Sequence, residues 1–293
     1  MSRRAKIKRA KALSLALYAM LFALCSAASA QQPAKLSRIG FLGSSAASSS
    51  ARIDGFRQGL RELGYVEGKN IVIEYGFEEE KLERQNALAT ELVRHKVDII
   101  VTAGAGATRA AKAATSTIPI VMSQDPDPVG NGFVASLARP GGNITGLSSL
   151  GADLAGKRLE LLKEILPKLS RLAVFITSTN PGNVSALRET KLAAESFKVQ
   201  LQILDLLSAK DIEAAFRAAK KGRAEAFFVQ NSPVSASRRK EIAELAAKSR
   251  LPAIYNRSDY VEDGGLMSYG VSFTNLAYRA ATYVDKILKG AKP

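Results

Sequence analysis

The chain has 293 residues, enough for one large or two medium domains. Apolar residues make up 46% and charged residues 24%, a balance that excludes general disorder, a collagen-like repeat and a multi-span membrane protein. One cysteine and one histidine exclude an intrachain disulfide, a Cys-based zinc site and a His-rich metal site. The net charge of +15 suggests a nucleic-acid partner at first sight. Six of those charges fall within residues 1–30, however, leaving +9 for the rest, so no nucleic acid is expected.

Residues 1–30 carry Arg3, Arg4, Lys6, Lys8, Arg9 and Lys11, then an apolar run from Leu13 to Cys25, then Ser26-Ala27-Ala28-Ser29-Ala30. A basic start, a short apolar run and an A-x-A site read as a secretory signal peptide cleaved after Ala30. The run is shorter than the roughly 20 residues a membrane span needs. A lipid-modified Cys25 fits poorly, because Leu24 stands where a small residue is wanted. Twin-arginine export is weakened by Lys6, so the general secretory route is preferred. The expected location is the periplasm, and the mature chain has no cysteine to oxidise there.

From residue 38 strands and helices alternate. Ile39–Leu42 reads as a strand, and Ile53, Phe56, Leu60 and Leu63 share a helix face. Strands follow at 71–73, 97–101 and 118–122, with helices between them. The order then recurs: strands at 172–176, 200–204, 226–229 and 251–255, with helices at 184–197, 210–220 and 236–248. Ile39 and Leu172 are 133 residues apart, and so are Pro119 and Pro252. The fold class is therefore α/β, with two similar doubly wound parallel-sheet lobes joined by a hinge. The expected division is 36–146 plus 271–293 for one lobe and 147–270 for the other. The Gly-bracketed segments Gly142–Leu147 and Gly265–Gly270 close the halves, and the last helix, with Leu276, Ala280, Tyr283, Val284 and Ile287, returns to the first lobe.

Catalytic patterns are missing. There is no G-x-S-x-G elbow, P-loop or H-E-x-x-H, and Gly104-x-Gly106 has Arg109 where a dinucleotide fingerprint needs its third glycine. His95, the sole imidazole, ends a helix. No nucleophile–base pair is apparent, so neither enzyme activity, nor a cofactor, nor a metal is expected. What remains are small polar segments at strand ends, where open α/β sheets bind ligands. The candidates are Ser44 and Ser45 in a Ser-rich loop running to Ser50, then Ala103, Gly104, Ala105 and Thr108, and Asp125. In the second half they are Thr177, Asn180, Asn231, Asn256 and Tyr269, with Tyr255 as another aromatic beside the cleft. The 102–108 loop opens a helix, so its amides suit a carboxylate. Such a set binds and releases a solute without breaking bonds.

Several blocks carry a family resemblance: Arg38–Leu42, Gly55–Tyr65, Asp125-Pro126-Asp127-Pro128-Val129-Gly130 and Arg139-Pro140-Gly141-Gly142-Asn143-Ile144-Thr145-Gly146. Over about residues 36–293 the chain resembles ABC transporter substrate-binding proteins of the tryptophan/tyrosine-binding type. The resemblance implies a type I periplasmic-binding-protein fold that closes on a small ligand, often an aromatic amino acid. It also implies permease subunits of the transporter as partners and a monomer; relatives commonly carry final strands after the last helix, whereas this chain stops at Pro293. It places a ligand carboxylate at Ala103–Thr108 and matches Asn231 to a position often acidic in relatives, facing the ligand amine. The reading is an extracytoplasmic solute-binding protein of an ABC importer that holds an amino acid or related carboxylate. Its rivals are an exported sensor lobe signalling to a membrane partner and an exported hydrolase. A sugar-responsive regulator would need an N-terminal helix-turn-helix where the export signal stands.

Overall fold

The computed structural model of the protein describes residues 36–43, 46–77 and 84–293. The export segment expected over residues 1–30 lies outside them. The first half contains β1 (Ser37–Gly43), α1 (Ala46–Glu62), β2 (Ile71–Phe77), α2 (Arg84–Arg94), β3 (Ile99–Ala103), α3 (Ala105–Ala114), β4 (Ile120–Asp125) and β5 (Ile144–Ser148). These strands pair in parallel, in the order β2-β1-β3-β4-β5. The second half contains α4 (Asp153–Ile165), β6 (Arg171–Ile176), α5 (Pro181–Ser196), β7 (Gln200–Asp205), α6 (Asp211–Lys221) and β8 (Ala226–Val229). It continues with α7 (Pro233–Ser237), α8 (Arg239–Ser249), β9 (Ala253–Tyr255), α9 (Asp259–Glu262) and β10 (Met267–Ser268). Its sheet is also all parallel, ordered β7-β6-β8-β9-β10 when read from that edge, so the two topologies coincide.

Parallel strands covered on both faces are apolar on both faces. In β1, Ile39 and Phe41 enter a core with Phe56 and Leu60 of α1, while Leu42 enters a second core with Leu92 and Ala111. Gly40 lies between them because Leu92 fills its side: a Cβ there would meet Leu92 Cδ1 at 3.0 Å. The second sheet repeats the plan, with Phe175, Phe216 and Phe227 on one face and Leu172, Val174 and Phe228 on the other.

The duplicated prolines have equivalent jobs. Proline cannot donate to a ladder, and β4 and β9 each begin after theirs. The Pro119 carbonyl accepts from the Ile100 amide at 2.9 Å, and the Pro252 carbonyl accepts from the Phe227 amide at 2.9 Å. Two local expectations change. The Ser-rich segment expected as a loop to Ser50 is helical from Ala46. The helix expected over 236–248 is two, α7 and α8, separated at Arg238; Pro233 and a Ser232–Ser235 capping box start the first.

The chain crosses between halves twice. The first crossing links β5 to α4, and the second links β10 to α10 (Phe273–Leu288), capped by Ser272. Helix α10 packs back against α1 and supplies Phe273, Leu276, Ala280 and Val284 to the first core. The approach is close because Gly55 and Gly59 present bare backbone: a Cβ on Gly59 would lie 2.4 Å from the Tyr278 carbonyl oxygen. Gly59→Val therefore forces the helices apart, a form of overpacking that costs about 1–3 kcal/mol. Equilibrium denaturation should show that loss, and an unaltered midpoint would refute the contact. Among the described residues no helix is long and apolar enough to cross a membrane.

Candidate ligand-binding cleft

In a 2-1-3-4-5 sheet the strand order reverses beside the first strand, leaving a crevice at the carboxyl ends. Here two such ends share one cleft holding about 830 Å³ of non-protein space, open solvent at its mouth included.

The first-half wall is built on β3 and α3. Gly104 adopts φ 109°, a conformation that favours glycine, and its amide donates to the Gln124 carbonyl at 3.1 Å. Behind the turn, Thr108 Oγ1 lies 2.8 Å from Thr102 Oγ1 and donates to the Gly104 carbonyl at 3.1 Å. The turn is thus locked from the protein side, while Ala103 through Ala107 line the cleft with α3's first amides, which have no intrahelical acceptor. Gln124, at the end of β4, lines the same wall.

The second-half wall is an amide network. Asn180 caps α5 by accepting from the Gly182 amide at 3.1 Å. The Asn231 carbonyl accepts from Asn180 Nδ2 at 3.3 Å and Asn183 Nδ2 at 2.9 Å. Asn183 Oδ1 accepts from the Thr177 amide at 2.8 Å, and Thr177 Oγ1 donates to the Leu206 carbonyl at 2.9 Å and lies 2.8 Å from Ser232 Oγ, so the ends of β6, β7 and β8 are tied together. Three acceptors on the walls are buried without a hydrogen-bond partner: Gln124 Oε1, Asn231 Oδ1 and Asn256 Oδ1. Each such group carries a desolvation penalty until something donates to it.

Three arginines also line the cleft. Arg52, on α1, is 4% exposed; burial and then the charge of Arg257 push its pKa down to about 9. Its Nη2 donates to Ser49 Oγ at 3.1 Å. Arg257 forks onto Asp259, with Nε donating to Oδ1 at 3.0 Å and Nη2 to Oδ2, and its guanidinium sits 5.3 Å from the Phe273 ring centroid. Its Nη1 is buried with no partner. Arg158, on α4, is 6% exposed, and burial pushes its pKa down to about 10. It donates from Nε to the Tyr269 carbonyl at 2.8 Å and from Nη1 to the Gly151 carbonyl at 3.2 Å. One side chain thereby binds both crossings between the halves.

Of the candidates read from sequence, Ala103, Gly104, Ala105, Asn180, Asn231 and Asn256 line the cleft. Five stand elsewhere. Thr108 and Thr177 bond behind the walls, as above. The Asp125 side chain turns away from the cleft, accepting from the Asp127 amide at 2.9 Å and from Asn131 Nδ2 at 3.0 Å. Tyr269 is 39% exposed on the second crossing, and its carbonyl accepts from Arg158. Tyr255 is fully buried, stacked on Tyr260 at 4.4 Å, and belongs to the core. Ser44 and Ser45 lie outside the described residues.

Sequence reasoning missed the arginines. Leu159 and Leu162, buried on α4, offered a helical spacing that would have found the helix and with it Arg158. His95 is not among the lining residues: it follows the C-terminal end of α2 and pairs with Glu74 of β2. Among the described residues no three His, Cys, Asp or Glu side chains gather in a way that could hold a metal ion.

A family described as ABC transporter substrate binding protein matches residues 44–293. A tyrosine-binding protein of Clostridioides difficile is 28% identical over 237 residues, spanning 80% of this chain and 68% of the relative. An ABC domain from Streptococcus pneumoniae, solved in complex with L-Trp, is 25% identical over 88% of this chain and 87% of that one, with a TM-score of 0.80. A leucine-binding protein from Thermotoga maritima shares the fold at 12% identity and a TM-score of 0.65, over 87% of this chain and 83% of its own.

Proposed function

Since the chain belongs to the ABC transporter substrate-binding protein family, we propose that it captures a small carboxylate-bearing solute between its halves and delivers it to the permease of an importer. Capture is by hinge closure. Contacts from both walls exist together only when the halves approach, so the solute shifts the population toward that state. The permease then recognises the closed shape on the outer face of the inner membrane. The basic, apolar and small-residue segments of residues 1–30 support export to the periplasm.

The observation that carries this reading is the cleft itself. It joins the open amides of α3 to the Asn180–Asn231 network and to buried acceptors that have no partner. The Ser232 hydroxyl on the cleft wall bonds to the Thr177 hydroxyl behind it and to backbone, and among the described residues it meets no imidazole or carboxylate that would make it a nucleophile. These groups grip and release.

Thermal denaturation against amino acids, nucleosides and small carboxylates tests the reading. A solute at 100 times its Kd should add about 2.7 kcal/mol of stability. Silence from every class, with a cooperatively folded sample, would sink it.

A further inference from the structure

We propose that the solute is an anion without an ammonium group: a small carboxylate or hydroxycarboxylate, not an amino acid zwitterion. The inference rests on the cleft being the binding site, as argued above. Three guanidiniums line this cleft, and no described Asp or Glu lines it with them. Arg158 is the decisive one. It is more than nine-tenths buried, its partners are two carbonyls, and among the described residues it makes no ion pair. A buried charge is ordinarily paired, so the structure leaves the counter-charge to the solute. Arg257 shares its charge with Asp259 yet keeps Nη1 buried and unbonded beside the same space.

The helices add to the same sign. α3 and α5 are 10 and 16 residues long, and both direct their N-terminal, positive ends at the cleft. An ammonium entering here meets like charge on several sides. The open acceptors Gln124 Oε1, Asn231 Oδ1 and Asn256 Oδ1 are neutral, and they suit hydroxyl donors, which bring no charge with them. A carboxylate flanked by hydroxyls answers both halves of this inventory.

Titration calorimetry on the full protein, freed of co-purifying solute, decides the matter with matched pairs. The pairs are tyrosine against 4-hydroxyphenyllactate, tyrosine against 3-(4-hydroxyphenyl)propanoate, and glutamate against 2-hydroxyglutarate. The amine-free member of at least one pair should bind at least tenfold tighter than its amino acid. Equal or tighter binding of the amino acids overturns the proposal. Binding of only neutral or cationic solutes from the thermal panel also overturns it and leaves the solute-binding reading standing. Silence from every solute fails both. Arg158→Gln should cost the anion at least tenfold in affinity, and Arg158→Lys should recover part of it. A melting curve of each ligand-free variant checks folding, and unchanged affinity in a folded Arg158→Gln protein would also count against the proposal.

Discussion

Stability falls as pH rises from about 4 to about 7, and Asp125→Asn removes most of that fall. The Asp125 carboxyl is 1% exposed, and burial pushes its pKa from 3.8 up to about 7, despite the Asp127 amide and Asn131 that bond its Oδ1. Its Oδ2 is buried without a partner. The folded protein therefore keeps a proton that the unfolded chain releases near 3.8. Stability is present in full below that value and is lost as pH climbs through the folded value, because unfolding then releases the proton. A difference this large is on the order of a few kcal/mol. Other carboxyls act outside this window. The Lys289 ion pair lowers Asp285, and the Ser170 amide lowers Glu225, so their contributions disappear only in stronger acid. Asn keeps an acceptor at Oδ1 and carries no charge at any pH. Urea denaturation of both proteins between about pH 4.5 and 8 reads the difference, and parallel profiles would refute it.

A leucine at position 182 props the cleft open. Gly182 belongs to α5 in the second half, but a Cβ there would lie 2.6 Å from Pro126 Cγ and 3.3 Å from Ala105 Cβ, both in the first half. The proline ring cannot swing aside, and Gly182 has no left-handed backbone that a side chain would strain. Gly182→Leu thus leaves each sheet intact and forbids their approach. Helix propensity favours the change by up to about 1 kcal/mol, so the ligand-free protein should melt no lower than wild type. Under the closure proposed above, a solute that needs both walls should bind at least tenfold more weakly, with Gly182→Ala intermediate. Calorimetry with whichever solute responds in the thermal panel measures this, and wild-type affinity would exclude closure at this contact.

Much of the architecture is legible before any coordinates. Strands buried on both faces announce themselves as continuous apolar runs, and the Pro119–Pro252 spacing marks two halves of one design because each proline ends the segment before a strand. The α3 turn is visible too, since its glycines and alanines leave main chain bare. Side-chain direction at strand ends is not legible. Gln124 faces the cleft and Asp125, one residue on, faces away, because successive residues of a strand alternate. The charge of the cleft is hidden for another reason. Arginine is mostly exposed, so Arg52, Arg158 and Arg257 read as solvated until packing encloses them. Arg257 even stands beside Asn256 in a segment correctly marked as a strand tip.

Helix α10 has a consequence for the order in which the molecule assembles. Residues 153–268 form a continuous stretch that contains every strand of the second sheet. The first sheet, although synthesised earlier, leaves Phe41, Phe56 and Leu60 uncovered until Leu276, Ala280 and Val284 reach them. The half that emerges first from the ribosome is therefore the half that matures last, and until then the flank that α10 will cover stays open to solvent.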